Sequence, residues 1–266
     1  MNKVEYLDKP YINDFTKWLE QRLRSFEHSY TFKKGSRRDW NCNSIFNAFK
    51  NYQWSHNGIE KTFDESQKQL FTIKNKLSIA IKSNNEKDAK EACLDMLIWG
   101  GLEGRNESYI NNNSNIIDEL NYIRKLYDPD IFNTNKKSIL EIKISSGFSK
   151  IYSILFDNFI IYDSRVSAAL CYFIRLFCEY KNIISIPDEL TFAFGEARNQ
   201  KAKRNPNKDN YKFSLLNQNN YLLNNIKASW LFSYILKNTK SKFNDLPEKI
   251  QLRALEAAFF MIGYEI

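Results

Sequence analysis

The sequence predicts an all-α, mainly helical chain built as two helical lobes, and three observations predict it. Gly (8) and Pro (5) are scarce in 266 residues, so the tight turns of a β-sandwich are poorly supplied and long helices are favoured. Apolar residues recur at i, i+3, i+4 and i+7 in several stretches, the period of a helix with one buried face. No convincing series of alternating strands and no internal repeat is present. Hydrophobic residues make up 43% and aromatic residues 15%. That is enough for a sizeable core in one large domain, or in two lobes sharing a core. The chain is read as a single functional unit, with lobes at roughly 1–135 and 136–266.

Asp14 to Phe26 reads as the first clear helix. Leu70, Ile73, Leu77, Ala80 and Ile81 form an apolar stripe, and Glu86 to Trp99 and Ser114 to Leu126 continue the helical pattern. A helix-like piece from Ser138 ends near Ile144. Ser145-Ser146-Gly147-Phe148 reads as a tight turn, and a helix from about Ser149 stops near Asp157-Asn158. Phe159-Ile160-Ile161-Tyr162 is short enough to be an extended linker rather than a strand. Asp163-Ser164 then opens the strongest amphipathic helix, with Val166, Ala169, Leu170, Phe173, Ile174 and Phe177 on one face. Leu255, Ala258, Phe259 and Ile262 mark the last helix. Three segments read as loops: Lys33 to Arg38, Gly100 to Asn113, and Gly195 to Asp209.

Lys and Arg outnumber Asp and Glu by 39 to 31, giving a net charge of +8 and a sequence pI near 9.1. This balance suits a partner made of phosphates. The first and third loops concentrate positive charge, the third through Arg198, Lys201, Lys203, Arg204 and Lys208, and such loops can follow a phosphate backbone. A solvated surface loop is the plainer reading. Cys42, Cys93, Cys171 and Cys178 contain no CxxC pair. Cys171 and Cys178 share a helix face, which reads as buried thiols rather than a metal site or disulfide. With only His28 and His56, a zinc site or a histidine-based triad is not expected, and the chain calls for no cofactor. No signal-like segment and no run of about 18 apolar residues occurs, so a cytoplasmic protein without a membrane partner is expected.

The chemistry concentrates in Ser138 to Leu170. Helix, turn, helix, extended run and capped helix follow in the order of a helix-hairpin-helix. Its turn offers backbone N–H groups, and the next helix N-terminus adds partial positive charge for a phosphate. Through Gly147-Phe148-Ser149-Lys150 and Ile161-Tyr162-Asp163-Ser164-Arg165-Val166, this segment resembles the helix-hairpin-helix DNA glycosylase superfamily, in its 8-oxoguanine-glycosylase-like branch. The hairpin is degenerate: Gly147 stands alone, with Ser145, Ser146 and Phe148 in the other places. The resemblance covers about 30 of the 266 residues.

The resemblance implies a DNA glycosylase that flips a nucleotide from duplex DNA and breaks its glycosidic bond. Asp163 then stabilises positive charge on the sugar or activates a nucleophile. Lys150 attacks C1′ and forms a Schiff base, which adds lyase activity. Ser146, Gly147, Ser149 and Arg165, with Arg198, Lys201, Lys203 and Arg204, are the candidate DNA contacts. Phe148, Tyr152, Tyr162, Trp99 and Trp230 are the candidate walls of a base pocket. The expected enzyme is a metal-independent monomer acting on a damaged or hypermodified base, in repair or in antiphage defence. The plainer readings stand beside these: Asp163 as a helix cap, Lys150 as a surface lysine with Lys143 as the fallback, and the aromatics as core. A non-catalytic DNA-binding module and a helical adaptor are the competing functions.

Overall fold

A computed structural model describes residues 1–32, 38–56, 59–102, 104–133, 143–197 and 203–266. Among them it holds eleven α-helices and three two-stranded pairs, so the mainly helical expectation is met. The helices are α1 (Lys3–Leu7), α2 (Pro10–Arg24), α3 (Ile45–Lys50), α4 (Phe63–Lys82), α5 (Glu86–Trp99), α6 (Arg105–Asn112), α7 (Ile116–Tyr127), α8 (Ser146–Leu155), α9 (Ser164–Lys181), α10 (Tyr221–Asn238) and α11 (Glu248–Ile262). No described helix is long and apolar enough to cross a membrane.

Local chemistry explains most helix ends. Pro10 sits in the first turn of α2, where its missing N–H costs nothing, so that helix begins before Asp14. Thr62 and Glu65 form a capping box that starts α4. Asn85 caps α5 through the N–H of Asp88. Gly104, at φ +95°, turns the chain into α6, a helix lying where the sequence suggests a loop from Gly100 to Asn113.

Two antiparallel pairs lie in the N-terminal part: β1 (His28–Thr31) with β2 (Asp39–Cys42), and β3 (Trp54–His56) with β4 (Ile59–Lys61). A parallel pair, β5 (Ala193–Phe194) with β6 (Ser214–Leu215), follows α9. These strands are too short to show a countable alternation, so the sequence gives no signal for them. In the first pair Tyr30 faces Trp40, and their rings stack 4.7 Å apart, the kind of cross-strand contact that stabilises a hairpin. Residues 33–37 between these strands lie outside the described set; Arg38 pairs with Glu60 and sits over the Phe32 ring.

One hydrophobic core runs through both halves of the chain. Helices α1 and α2 pack on α10, α2 on α9, and α3 on α11. Helix α10 is central, buried on nearly all sides, and bears no one-sided stripe, so helical periodicity does not mark it. All four cysteines are buried and free.

Candidate functional site

Helix α8 opens one residue after Ser145. Ser145 is extended, and its Oγ accepts the N–H of Phe148 at 3.4 Å. Ser146, Gly147 and Phe148 are therefore the first turn of the helix rather than the tight turn the sequence suggests, because Ser145 is a favoured cap. The piece expected before it lies largely in 134–142, outside the described residues. Gly147 is buried for packing: a Cβ there would come within 2.6 Å of the Asn106 side chain and 3.0 Å of Leu97.

The segment Phe159 to Tyr162 is the extended linker the sequence suggests, and it is buried. A buried extended backbone must satisfy its polar groups without a sheet. Here side chains do so. The N–H of Ile160 donates to Ser229 Oγ (3.1 Å), that of Ile161 to Glu256 Oε2 (2.9 Å), and that of Tyr162 to Ser149 Oγ (3.0 Å). Asn225 Nδ2 donates to the Ile160 carbonyl at 2.9 Å, and the Tyr221 hydroxyl donates to that of Tyr162. This scaffold fixes the place of the next residue, Asp163.

Asp163 caps α9. Its Oδ1 accepts the N–H groups of Arg165 (2.9 Å) and Val166 (3.1 Å). Its other oxygen, Oδ2, lies 3.6 Å from Lys150 Nζ. That distance is an ion-pair contact, longer than a hydrogen bond. Both groups are buried, Lys150 being 5% exposed and Asp163 9%. Lys150 Nζ also donates to the Ser146 hydroxyl at 3.3 Å and carbonyl at 3.4 Å. Lys150 is thus no surface lysine, and capping and pairing by Asp163 coexist on separate oxygens.

Burial lowers the Lys150 ammonium below its ordinary value, with Asp163 pulling the other way and Arg253 reinforcing the drop. Burial pushes the Asp163 carboxyl up, but Lys150 and the N–H of Val166 outweigh it, so the net shift is down. The pair therefore combines an ionised carboxylate with an amine that gives up its proton more readily than a free lysine.

Lys150 and Asp163 line a narrow pocket of about 20 Å³, space for one water-sized group. Its aromatic walls are Tyr52, Trp54, Trp99 and Phe260. Arg253 and Glu256 of α11 complete its charged lining and pair with each other. Glu256 is almost fully buried and accepts from both Arg253 and Ile161. The Arg253 guanidinium lies 5.3 Å from the centre of the Trp99 ring.

Of the five aromatic residues expected around a base, Trp99 alone lines this pocket. Phe148 packs on Tyr109 and Tyr152. The Tyr152 hydroxyl donates to the Lys143 carbonyl at 2.6 Å, and that of Tyr162 to the Ala193 carbonyl at 2.7 Å. Trp230 packs on Tyr6 and donates to the Pro129 carbonyl at 2.5 Å. These four belong to the core, where the polar tips of Tyr152, Tyr162 and Trp230 have each found a backbone partner.

Of the expected DNA contacts, Ser149, Arg165 and Arg204 have partners inside the protein. Ser149 is fully buried and donates to Asn225 Oδ1 at 2.7 Å, so it serves the linker scaffold. Arg165 is held over the Phe260 ring (4.2 Å) and the Tyr264 ring (4.8 Å). Arg204 donates to the Tyr264 carbonyl (3.1 Å) and the Ser164 hydroxyl (3.0 Å). Ser146 is half-buried at the head of α8, and Lys203 is exposed. Arg198 and Lys201 lie outside the described residues. The fallback Lys143 is exposed, with its ammonium over the Tyr109 ring, and does not line the pocket.

Sequence reasoning missed Tyr52, Trp54, Arg253, Glu256 and Phe260. A signal for the last three exists: Arg253, Glu256, Ala257 and Phe260 fall at i, i+3, i+4 and i+7 of α11. Two charges on one face of a largely apolar helix are what a buried polar site requires. Among the described residues no group of three or more His, Cys, Asp or Glu side chains is arranged to hold a metal ion. No family model, curated protein or solved structure matches the chain.

Proposed function

We propose that this protein is a DNA glycosylase in which Lys150 is the nucleophile and Asp163 stabilises the charge that develops on the sugar. The observation that carries the reading is the buried Lys150–Asp163 pair, 3.6 Å apart at an aromatic-walled pocket. An amine whose proton is loosened by burial attacks carbon well. A fixed carboxylate beside it favours the oxocarbenium-like transition state of glycosyl transfer.

In the proposed reaction the neutral Lys150 amine forms a bond to C1′ as the C1′–base bond breaks. The electron pair leaves with the base, which takes up a proton. The new C1′ ammonium loses a proton, and the sugar ring opens to an imine as O4′ is protonated. Water then hydrolyses the imine, or strand cleavage follows by elimination. Aromatic walls suit the stacking of a flipped base. At about 20 Å³ the pocket does not hold a base, so binding must displace wall side chains. The net positive charge suits a DNA partner.

The narrowness of the pocket favours a second reading, in which the pair is a structural tie between α8 and α9 in a non-catalytic DNA-binding module. Borohydride reduction in the presence of abasic-site DNA tests the two. The glycosylase reading expects a covalent adduct that maps to Lys150 and is absent from Lys150→Gln. Salt-dependent DNA retention with no adduct and no released base would support the module.

A further inference from the structure

We infer that Trp99 sets substrate specificity by donating its indole N–H to a carbonyl oxygen on the base, once binding has opened this pocket wide enough to admit one. The inference rests on the glycosylase reading. Trp99 is the last residue of α5, is 8% exposed, and lines the pocket that also contains Lys150 and Asp163. Its Nε1 is buried and has no hydrogen-bond partner among the described residues. A buried donor left without a partner is costly, and such groups gather where a ligand supplies the missing half.

The neighbouring donors are committed. Trp54 Nε1, in the same wall, donates to the Trp99 carbonyl at 3.0 Å. Trp40 Nε1 donates to the Asn51 carbonyl at 2.9 Å. Trp18 Nε1 is also unpartnered, but Trp18 packs among Phe15, Phe177 and Arg22, away from this pocket. Among the described residues, Trp99 is the one tryptophan that lines this pocket and has an unpartnered indole N–H.

The surroundings choose the kind of partner. Arg253 lies over the Trp99 ring and draws electron density from it, so the N–H is a stronger donor. Arg253 adds positive charge, while Glu256 is occupied by Arg253 and the Ile161 N–H, and Asp163 by the first N–H groups of α9 and by Lys150. An acceptor edge completes this set. An amino group at the same point would set N–H against N–H and leave both unpaired. The substrate class is therefore a base that turns a ring carbonyl toward Trp99.

The test replaces Trp99 with 3-benzothienylalanine, which keeps the bicyclic shape and lacks the N–H, alongside Trp99→Phe. Base release is measured on duplexes carrying 8-oxoguanine, hypoxanthine, uracil, 5-hydroxymethyluracil or a phage-type hypermodified pyrimidine. Borohydride trapping is measured on abasic-site DNA, which has no base to read. The expected result is unchanged trapping with base release slowed by about tenfold or more. Release at the wild-type rate, or trapping lost together with release, would overturn the role of Trp99 and leave the glycosylase reading standing. Wild-type trapping without release of any of these carbonyl bases would overturn it as well. A wild-type protein that neither traps nor releases removes the glycosylase reading and this inference together.

Discussion

Gly100 leaves the space that the Lys150 side chain occupies. A Cβ at Gly100 would sit 2.5 Å from Lys150 Cδ and 2.9 Å from Cε. The backbone at Gly100 is ordinary, with φ −82°, so the need for glycine is steric rather than conformational. The residue that caps the C-terminus of α5 thus lets the lysine stem pass toward Asp163.

Gly100→Ala is expected to displace the lysine while leaving the fold intact. Overpacking of this kind costs about 1–3 kcal/mol, and a nucleophile moved by about 1 Å loses about a hundredfold in rate. Thermal unfolding and single-turnover base release check the two parts. Unchanged base release would show that the Lys150 position does not matter to the chemistry.

Asp163→Asn should shift the pH dependence of trapping toward lower pH. Asp163 raises the Lys150 pKa against the lowering effect of burial, so removing its charge frees the amine proton earlier. Asn is nearly as good a helix cap as Asp, so α9 keeps its start. The check is the rate of imine formation with abasic-site DNA across pH, wild type against variant. A shift toward higher pH would contradict the assigned coupling.

Stability should depend on pH with a defined sign. Asp163 has a depressed folded-state pKa, so its contribution is present above the ordinary value of 3.8 and is lost as pH falls through the folded value. Lys150 is also depressed. The unfolded chain then binds more protons between the folded value and the ordinary 10.5, so the Lys150 contribution to stability rises with pH in that window. Urea titrations across pH, with Asp163→Asn and Lys150→Met as references, check both limbs.

Ser149→Ala should destabilise the protein without weakening DNA binding. Its hydroxyl links Asn225 to the Tyr162 N–H inside the core, and leaving those partners unpaired costs about 1–3 kcal/mol. A denaturant midpoint and a salt titration of DNA affinity separate the effects. Weakened DNA binding at unchanged stability would restore the phosphate-contact reading.

Glu256→Gln is expected to cost about 3–5 kcal/mol by leaving Arg253 without its buried anion. Adding Arg253→Met should recover part of that loss, because the stranded charge is then gone. The double-mutant cycle by chemical denaturation reads the coupling; additive effects would show that the pair is not coupled.

What the sequence makes legible follows from how local each signal is. The helix at Asp163 is readable because the cap and the apolar stripe lie side by side in the chain. The linker Phe159–Tyr162 is readable by its length. The approach of Lys150 to Asp163 is not local, and only the resemblance suggests it. The pocket walls are harder still. Trp54 arrives from a three-residue strand and Phe260 from the far end of the chain, so no window contains the site. Tyr162 lies within the motif and Trp230 on the buried helix α10, and their hydroxyl and indole groups meet backbone carbonyls in the core. Composition does not distinguish an aromatic wall from an aromatic core; the position of the polar tip does.

The most direct measurement of the central proposal is base release by mass spectrometry from DNA carrying oxidised, deaminated, alkylated or phage-type hypermodified bases. Wild type and Asp163→Asn are run side by side. The proposal predicts a free base from wild type and at least about a hundredfold less from the variant. Equal release from both would remove Asp163 from the chemistry. No release from any DNA that the protein binds would contradict the glycosylase assignment.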